Sequence, residues 1–112
     1  LTERMRVAEQ AGIRADNIIL DPGFGFGKSV EHNYQLLATL EQLHILGHPL
    51  LVGVSRKSML GAVTGRDVNE RLPASLAAAT ISAMKGASIL RVHDVRETVD
   101  AVRIVTAVKE AI

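Results

Sequence analysis

Three short apolar runs, each closed by a cluster of polar residues, limit what this chain can fold into more than any other feature. Residues 17–21, 50–55 and 88–93 are rich in Ile, Leu and Val, the pattern of strands buried on both faces. Helical periodicity fills the spaces between them. Residues 2–11 set Met5, Ala8 and Ala11 on one side, with Gly12 at the stop; residues 33–46 repeat Leu36, Leu37, Leu40 and Leu43 before Gly47 and Pro49. A short polar-ended segment leads to an alanine-rich helix over 74–85, with Pro73 at its first turn and Gly86 past its end. Asp94 and Glu97 have the spacing of a capping box, which predicts a last helix through Val99, Val102 and Val105 to Ile112. The order is αβαβαβα, and strand starts recur at roughly thirty residues, which predicts parallel pairing through right-handed crossovers. The expected fold class is α/β with parallel strands, in one domain over residues 1–112.

Composition narrows the function classes. With 112 residues, 47% of them apolar, the chain has the size of one small domain with a core. A formal net charge of +1 and a pI near 8.4 leave no field of the kind a nucleic-acid binder uses to neutralise phosphates. The lack of cysteine excludes a disulfide framework and fits a reducing compartment. There is no apolar run of about 18 residues and no charged-then-apolar leader, so the expectation is a cytoplasmic protein without a membrane partner. Leu1 stands within a helical pattern, as expected of a fragment.

In parallel α/β proteins the ligand lies at the carboxyl ends of the strands. Here those ends read Asp21-Pro22-Gly23-Phe24-Gly25-Phe26-Gly27-Lys28, then Ser55-Arg56-Lys57-Ser58, then Arg91-Val92-His93-Asp94. Strand side chains alternate, so Ile19 with Asp21, Leu51 with Gly53 and Ser55, and Ile89 with Arg91 and His93 each share a face. If those faces point inward, a carboxylate, a hydroxyl, a guanidinium and an imidazole meet at one mouth, with Lys57 in reach. A carboxylate can accept N–H bonds from the edge of an amidine-like heterocycle, while Arg91 and His93 can grip a phosphate group.

Structural roles compete with these. Asp21 before Pro-Gly can simply form a turn, Arg91 and His93 can form an ion pair with Asp21 or a neighbouring loop, and the glycines can serve backbone conformation alone. Glu70-Arg71 reads as an exposed or helix-start pair. His32, His44 and His48 lack ligand spacing, so no metal ligand is assigned within the chain. Gly27-Lys28-Ser29 imitates a phosphate loop, but the glycine needed five positions earlier is Pro22. The dinucleotide fingerprint fails because Lys28 stands where its third glycine belongs.

Taken in order, Asp-Pro-Gly-Phe-Gly-Phe-Gly-Lys, Ser-Arg-Lys-Ser, Glu-Arg and Arg-Val-His-Asp resemble the dihydropteroate synthases over nearly the whole chain, from about residue 17 onward. The resemblance implies the C-terminal part, about three βα units, of a TIM (β/α)8 barrel whose N-terminal strands are absent. It also implies an enzyme that condenses 7,8-dihydropterin-6-ylmethyl diphosphate with 4-aminobenzoate, giving dihydropteroate and pyrophosphate, with sulfonamides as competitors. By motif, Asp21, Gly53 and Lys57 would hold the pterin, and Phe26, Lys57 and Ser58 the aminobenzoate. Arg91 and His93 would bind the diphosphate, with Ser55 supporting the pocket. The catalytic group would then be Arg91, His93 and Lys57. Magnesium would be bound by residues outside this chain, the full-length enzyme would be a homodimer, and the isolated piece would be inactive. Two rivals share parts of this pattern: a methyltetrahydrofolate-binding methyltransferase, and a noncatalytic βα interaction module.

Overall fold

The computed structural model describes residues 2–14, 18–25 and 27–112. Two sequence expectations fall outside them, the start of the first strand at Asn17 and the aminobenzoate role of Phe26. Helix α1 spans Thr2–Gln10, and Gly12 follows it at φ 96°, the left-handed conformation that a helix stop favours. The expected first strand appears at Leu20, which bridges Leu50 in parallel. Its N–H donates to Pro49 O at 2.9 Å, and Leu51 N–H donates back to Leu20 O at 2.8 Å.

Strand β1, Leu51–Val52, then pairs in parallel with β2, Ile89–Leu90, in the register Leu51 to Ile89 and Val52 to Leu90. The three segments therefore lie side by side in chain order, as the repeat predicts. Both strands are shorter than their apolar runs. The last rung is Arg91 N–H to Val52 O, and past it the chain turns, with Lys57 N–H closing on Val54 O.

The expected helix over 33–46 divides in two. It begins early, because Ser29 is an extended N-cap whose Oγ accepts from His32 N–H, giving α2 at Val30–Ala38. Helix α2 closes at Thr39, whose N–H and hydroxyl both donate to Gln35 O, and the chain proceeds as a 3-10 helix over Leu40–Leu46. Helix α3, Ser58–Thr64, occupies what read as a short polar-ended segment. Burial of Met59 and Leu60 supplies the driving force that Gly61, Val63 and Thr64 lack as helix formers. A 3-10 turn at Val68–Glu70 leads into α4, Leu72–Met84, and α5 spans Val95–Glu110. The expected capping box at the start of α5 is absent. The Asp94 carboxylate is engaged by Arg56 instead, a bidentate charge-assisted pair that outcompetes a bond to a neutral backbone N–H.

One face of the strands carries the core. Leu20, Leu50, Val52 and Val54 are buried against Phe24, Leu37, Leu40, Met59, Leu60 and Ala78. Phe24, in the glycine-rich loop, is thus a core residue. The opposite face is open, with Ile19 53% and Ile89 40% exposed. Tyr34 ties α2 to α3 by donating to Met59 O at 2.8 Å, and burial pushes its phenol pKa up. Tyr34→Phe in the full-length protein is expected to cost about 1 kcal/mol of stability in urea denaturation. An unchanged midpoint would show that this bond contributes nothing. Among the described residues, no helix is long and apolar enough to cross a membrane.

Candidate functional site

The polar groups sit on the open face because each strand alternates. With Leu50, Val52 and Val54 turned to the core, Gly53 and Ser55 fall on the other side, and on β2 the continuation carries Arg91 and His93 there too. Gly53, Ser55, Lys57, Arg91, Val92 and His93 line one cavity of about 270 Å³ at the carboxyl ends of the two strands.

Contacts within this cavity are close. The Arg91 guanidinium lies across Gly53, so that a methyl group there would stand 2.8 Å from Nη2 and 3.0 Å from Nε. Glycine is what leaves the Arg91 guanidinium room against the strand. Ser55 Oγ is 3.0 Å from His93 Nδ1 and also accepts from His93 N–H at 3.4 Å. Lys57 reaches over to the glycine-rich loop, where its ammonium donates to Phe24 O and its stem passes 3.4 Å from where a Gly25 side chain would begin. Burial, with Arg91 nearby, holds the Lys57 pKa below the usual lysine value; Asp21 opposes that shift and Lys28 adds to it.

Asp21 stands beside the cavity rather than in its lining. It is exposed, and its Oδ1 accepts from Gly23 N–H at 2.9 Å, the turn that a pre-proline aspartate forms. It borders a separate hollow with Arg4, Met5 and Ala8, yet its charge is felt by Lys57. Of the groups expected at one mouth, Ser55, Lys57, Arg91 and His93 share the cavity and Asp21 flanks it. Ser58 is exposed at the first turn of α3 and does not line the cavity.

Two residues that organise the site were given no role in it by the sequence. Asn33 is 4% exposed; its Oδ1 accepts from Gly25 N–H at 2.9 Å and its amide donates to Ser29 O at 3.0 Å. The peptide between Phe24 and Gly25 is therefore held by Asn33 at its N–H and by Lys57 at its carbonyl. Arg71, read as half of an exposed or helix-start pair, does stand at the start of α4 and also donates to Arg56 O at 3.0 Å and Arg66 O at 3.1 Å. The signal for Asn33 was its polarity at the head of an apolar helical run. For Arg71 the signal was its place in the Glu-Arg motif of the family resemblance.

Comparison with known proteins places the chain. Residues 1–93 match the family model described as pterin binding enzyme. The chain is 55% identical to dihydropteroate synthase of Escherichia coli (strain K12) over 97% of its own length and 39% of that protein's. It is 50% identical to a probable bifunctional folylpolyglutamate synthase/dihydropteroate synthase of Halobacterium salinarum, covering 97% of this chain and 13% of that one. Its fold superposes on Yersinia pestis dihydropteroate synthase, solved with a sulfonamide drug complex, with a TM-score of 0.97 at 50% identity, covering 99% of this chain and 40% of that one. The Xanthomonas albilineans enzyme in complex with 7,8-dihydropteroate gives a TM-score of 0.94 at 50% identity, over 96% and 42% of the two chains. The chain thus spans about two-fifths of the length of the single-function relatives it resembles. Its match to the family model over most of its length and its shared fold make it a member of the pterin binding enzyme family.

Proposed function

We propose that this chain forms the last three strand-helix units of a (β/α)8 dihydropteroate synthase barrel. The observation that carries the reading is the convergence of Lys57, Arg91 and His93, with Gly53 and Ser55, on one cavity at the strand ends. In this reading the open face bearing Ile19 and Ile89 is the barrel interior, packed by strands from the rest of the polypeptide. The whole enzyme is a cytoplasmic homodimer, and the piece alone is inactive.

The reaction joins the methylene of 7,8-dihydropterin-6-ylmethyl diphosphate to the amine of 4-aminobenzoate. The C–O bond breaks with its electron pair leaving on the diphosphate, the electron-rich pterin shares the positive charge, and the amine attacks the methylene. The amine then loses a proton to complete the C–N bond. Arg91 and His93 bind the departing oxygens, whose charge grows toward the transition state, so their attraction strengthens as the bond breaks. Gly53 admits the flat ring to the strand, with Lys57 and Asp21 at its polar edge. Lys57 reaches both substrates, Phe26 and Ser58 border the aminobenzoate, and Ser55 orients the His93 ring. Sulfonamides compete with the aminobenzoate.

Magnesium does not fit the residues of this cavity. Among the described residues its lining carries two cations and no carboxylate, the reverse of a hard-cation site, so the ion is assigned to residues outside this chain and no step here runs through it.

The test is a condensation assay on the full-length wild-type protein, with calorimetric titration by pyrophosphate. Formation of dihydropteroate and saturable pyrophosphate binding are expected. A pterin-binding methyltransferase would take up pterin without pyrophosphate, and an interaction module would bind neither. Asp21→Asn keeps the Oδ1 acceptor of the turn and removes only the charge, so it isolates the pterin contact. It is expected to weaken pterin binding by about 1.5 to 3 kcal/mol. Unchanged affinity would take Asp21 out of the pterin site.

A further inference from the structure

Among the described residues, Arg56 is the one non-glycine at positive φ, at 58°. The left-handed region disfavours a residue with a side chain, so such a conformation persists where its surroundings fix it. Three neighbours do so here. Arg56 N–H donates to Ser75 Oγ at 2.9 Å, and its carbonyl accepts from Arg71 at 3.0 Å. Its guanidinium grips Asp94 by both oxygens, from Nη2 at 2.7 Å and from Nε at 3.2 Å. Neither member of the pair lines the cavity, yet their sequence neighbours do: Ser55 and Lys57 flank Arg56, and His93 precedes Asp94.

We propose that the Arg56–Asp94 pair is a positioning device that locks the loop after β1 to the loop after β2 and so holds Lys57 and His93 at a fixed separation across the cavity. The reaction it serves rests on the reading above; the coupling itself is a statement about the two loops. The Arg56 hydrogen bonds hold the Asp94 carboxyl below its ordinary range, which keeps the pair ionised near neutral pH. A bidentate pair fixes orientation as well as distance, unlike the single-point contact a lysine would give. With its side chains 41% and 17% exposed, the pair adds little to stability, so orientation is its main consequence. The Ser55–His93 contacts join the same two loops from the cavity side.

The test uses Asp94→Asn, Asp94→Glu and Arg56→Lys in the full-length enzyme. Activity is measured well below the melting midpoint, and the carbon-13 shift of the Lys57 side chain is followed against pH. Deleting the Asp94 charge would by Coulomb attraction alone lower the Lys57 pKa. Releasing the loop into water would raise it, because burial is the main cause of its depression. Expected for Asp94→Asn are an upward shift of the Lys57 titration and a fall in kcat/KM of about 10-fold to 100-fold, the scale of a small misplacement. Asp94→Glu should recover most of the activity. Arg56→Lys keeps the charge but loses the fork, and gives the same upward shift should Asp94→Asn fail to fold. A Lys57 titration that stays in place or moves down in these variants overturns the proposal, whatever happens to activity. A wild-type enzyme that does not condense the two substrates would overturn the reading of function, while the titration still decides the positioning claim.

Discussion

Replacing Arg91 by alanine in the full-length enzyme is expected to abolish measurable pyrophosphate binding and to lower kcat/KM by about 100-fold to 1,000-fold, the usual cost of losing a donor aimed at developing negative charge. The guanidinium lies against Gly53 with Lys57 and His93 around the same cavity, and among the described residues no carboxylate lines that space to neutralise it. Its charge is therefore available to a leaving group. The side chain is exposed, so its removal leaves no core cavity, and folded stability should change little. Arg91→Lys separates charge from shape: it should retain part of the pyrophosphate affinity while losing the two-pronged grip. Pyrophosphate titrations of wild type and Arg91→Ala decide the matter, and equal affinities would remove Arg91 from the diphosphate site.

The same residue also sets the electrostatics of its neighbour. Arg91 is the largest charged contributor to the lowered Lys57 pKa, after burial. Removing it should move the Lys57 titration upward, toward an ordinary lysine, even as catalysis falls. Removing the charge of Asp21, which opposes the depression, should move it the other way.

Strand order and parallel direction were legible because apolar runs at a steady repeat leave few ways to bury both faces, and Leu20, Leu50 and β2 do lie side by side. The site was legible in part for a related reason. Alternation along a strand is strict, so once Val52 and Val54 face the core, Gly53 and Ser55 must face the other way. Local bonds made by individual polar side chains were harder to read. Asp94 had capping-box spacing, but a guanidinium 38 residues away was the stronger partner, and only the fold brings it close. Asp21 shows the converse: the Pro-Gly that follows it predicted its turn, and that turn leaves its carboxylate beside the cavity instead of within the lining.

Lys57→Met in the full-length enzyme is expected to raise the KM for both substrates and to lower kcat/KM by about 100-fold or more, since in the proposed reading one ammonium serves the pterin edge and the aminobenzoate together. Its protonated form is the donor. Because burial holds its pKa below that of a free lysine, the wild-type rate should fall on the alkaline side at a lower pH than an ordinary lysine would allow, and Lys57→Met should lack that limb. Stability runs in the opposite direction to activity. The unfolded chain binds this proton more tightly than the folded one, so the charged lysine burdens the fold fully below its folded pKa. That burden disappears as pH rises through the ordinary lysine range. Near neutral pH the methionine escapes it, although it also forfeits the bond to Phe24 O, so the melting midpoint should hold or rise while catalysis collapses. A variant that loses activity only in step with its folded fraction would make Lys57 a structural residue, and a pH profile identical to wild type would detach it from the reaction.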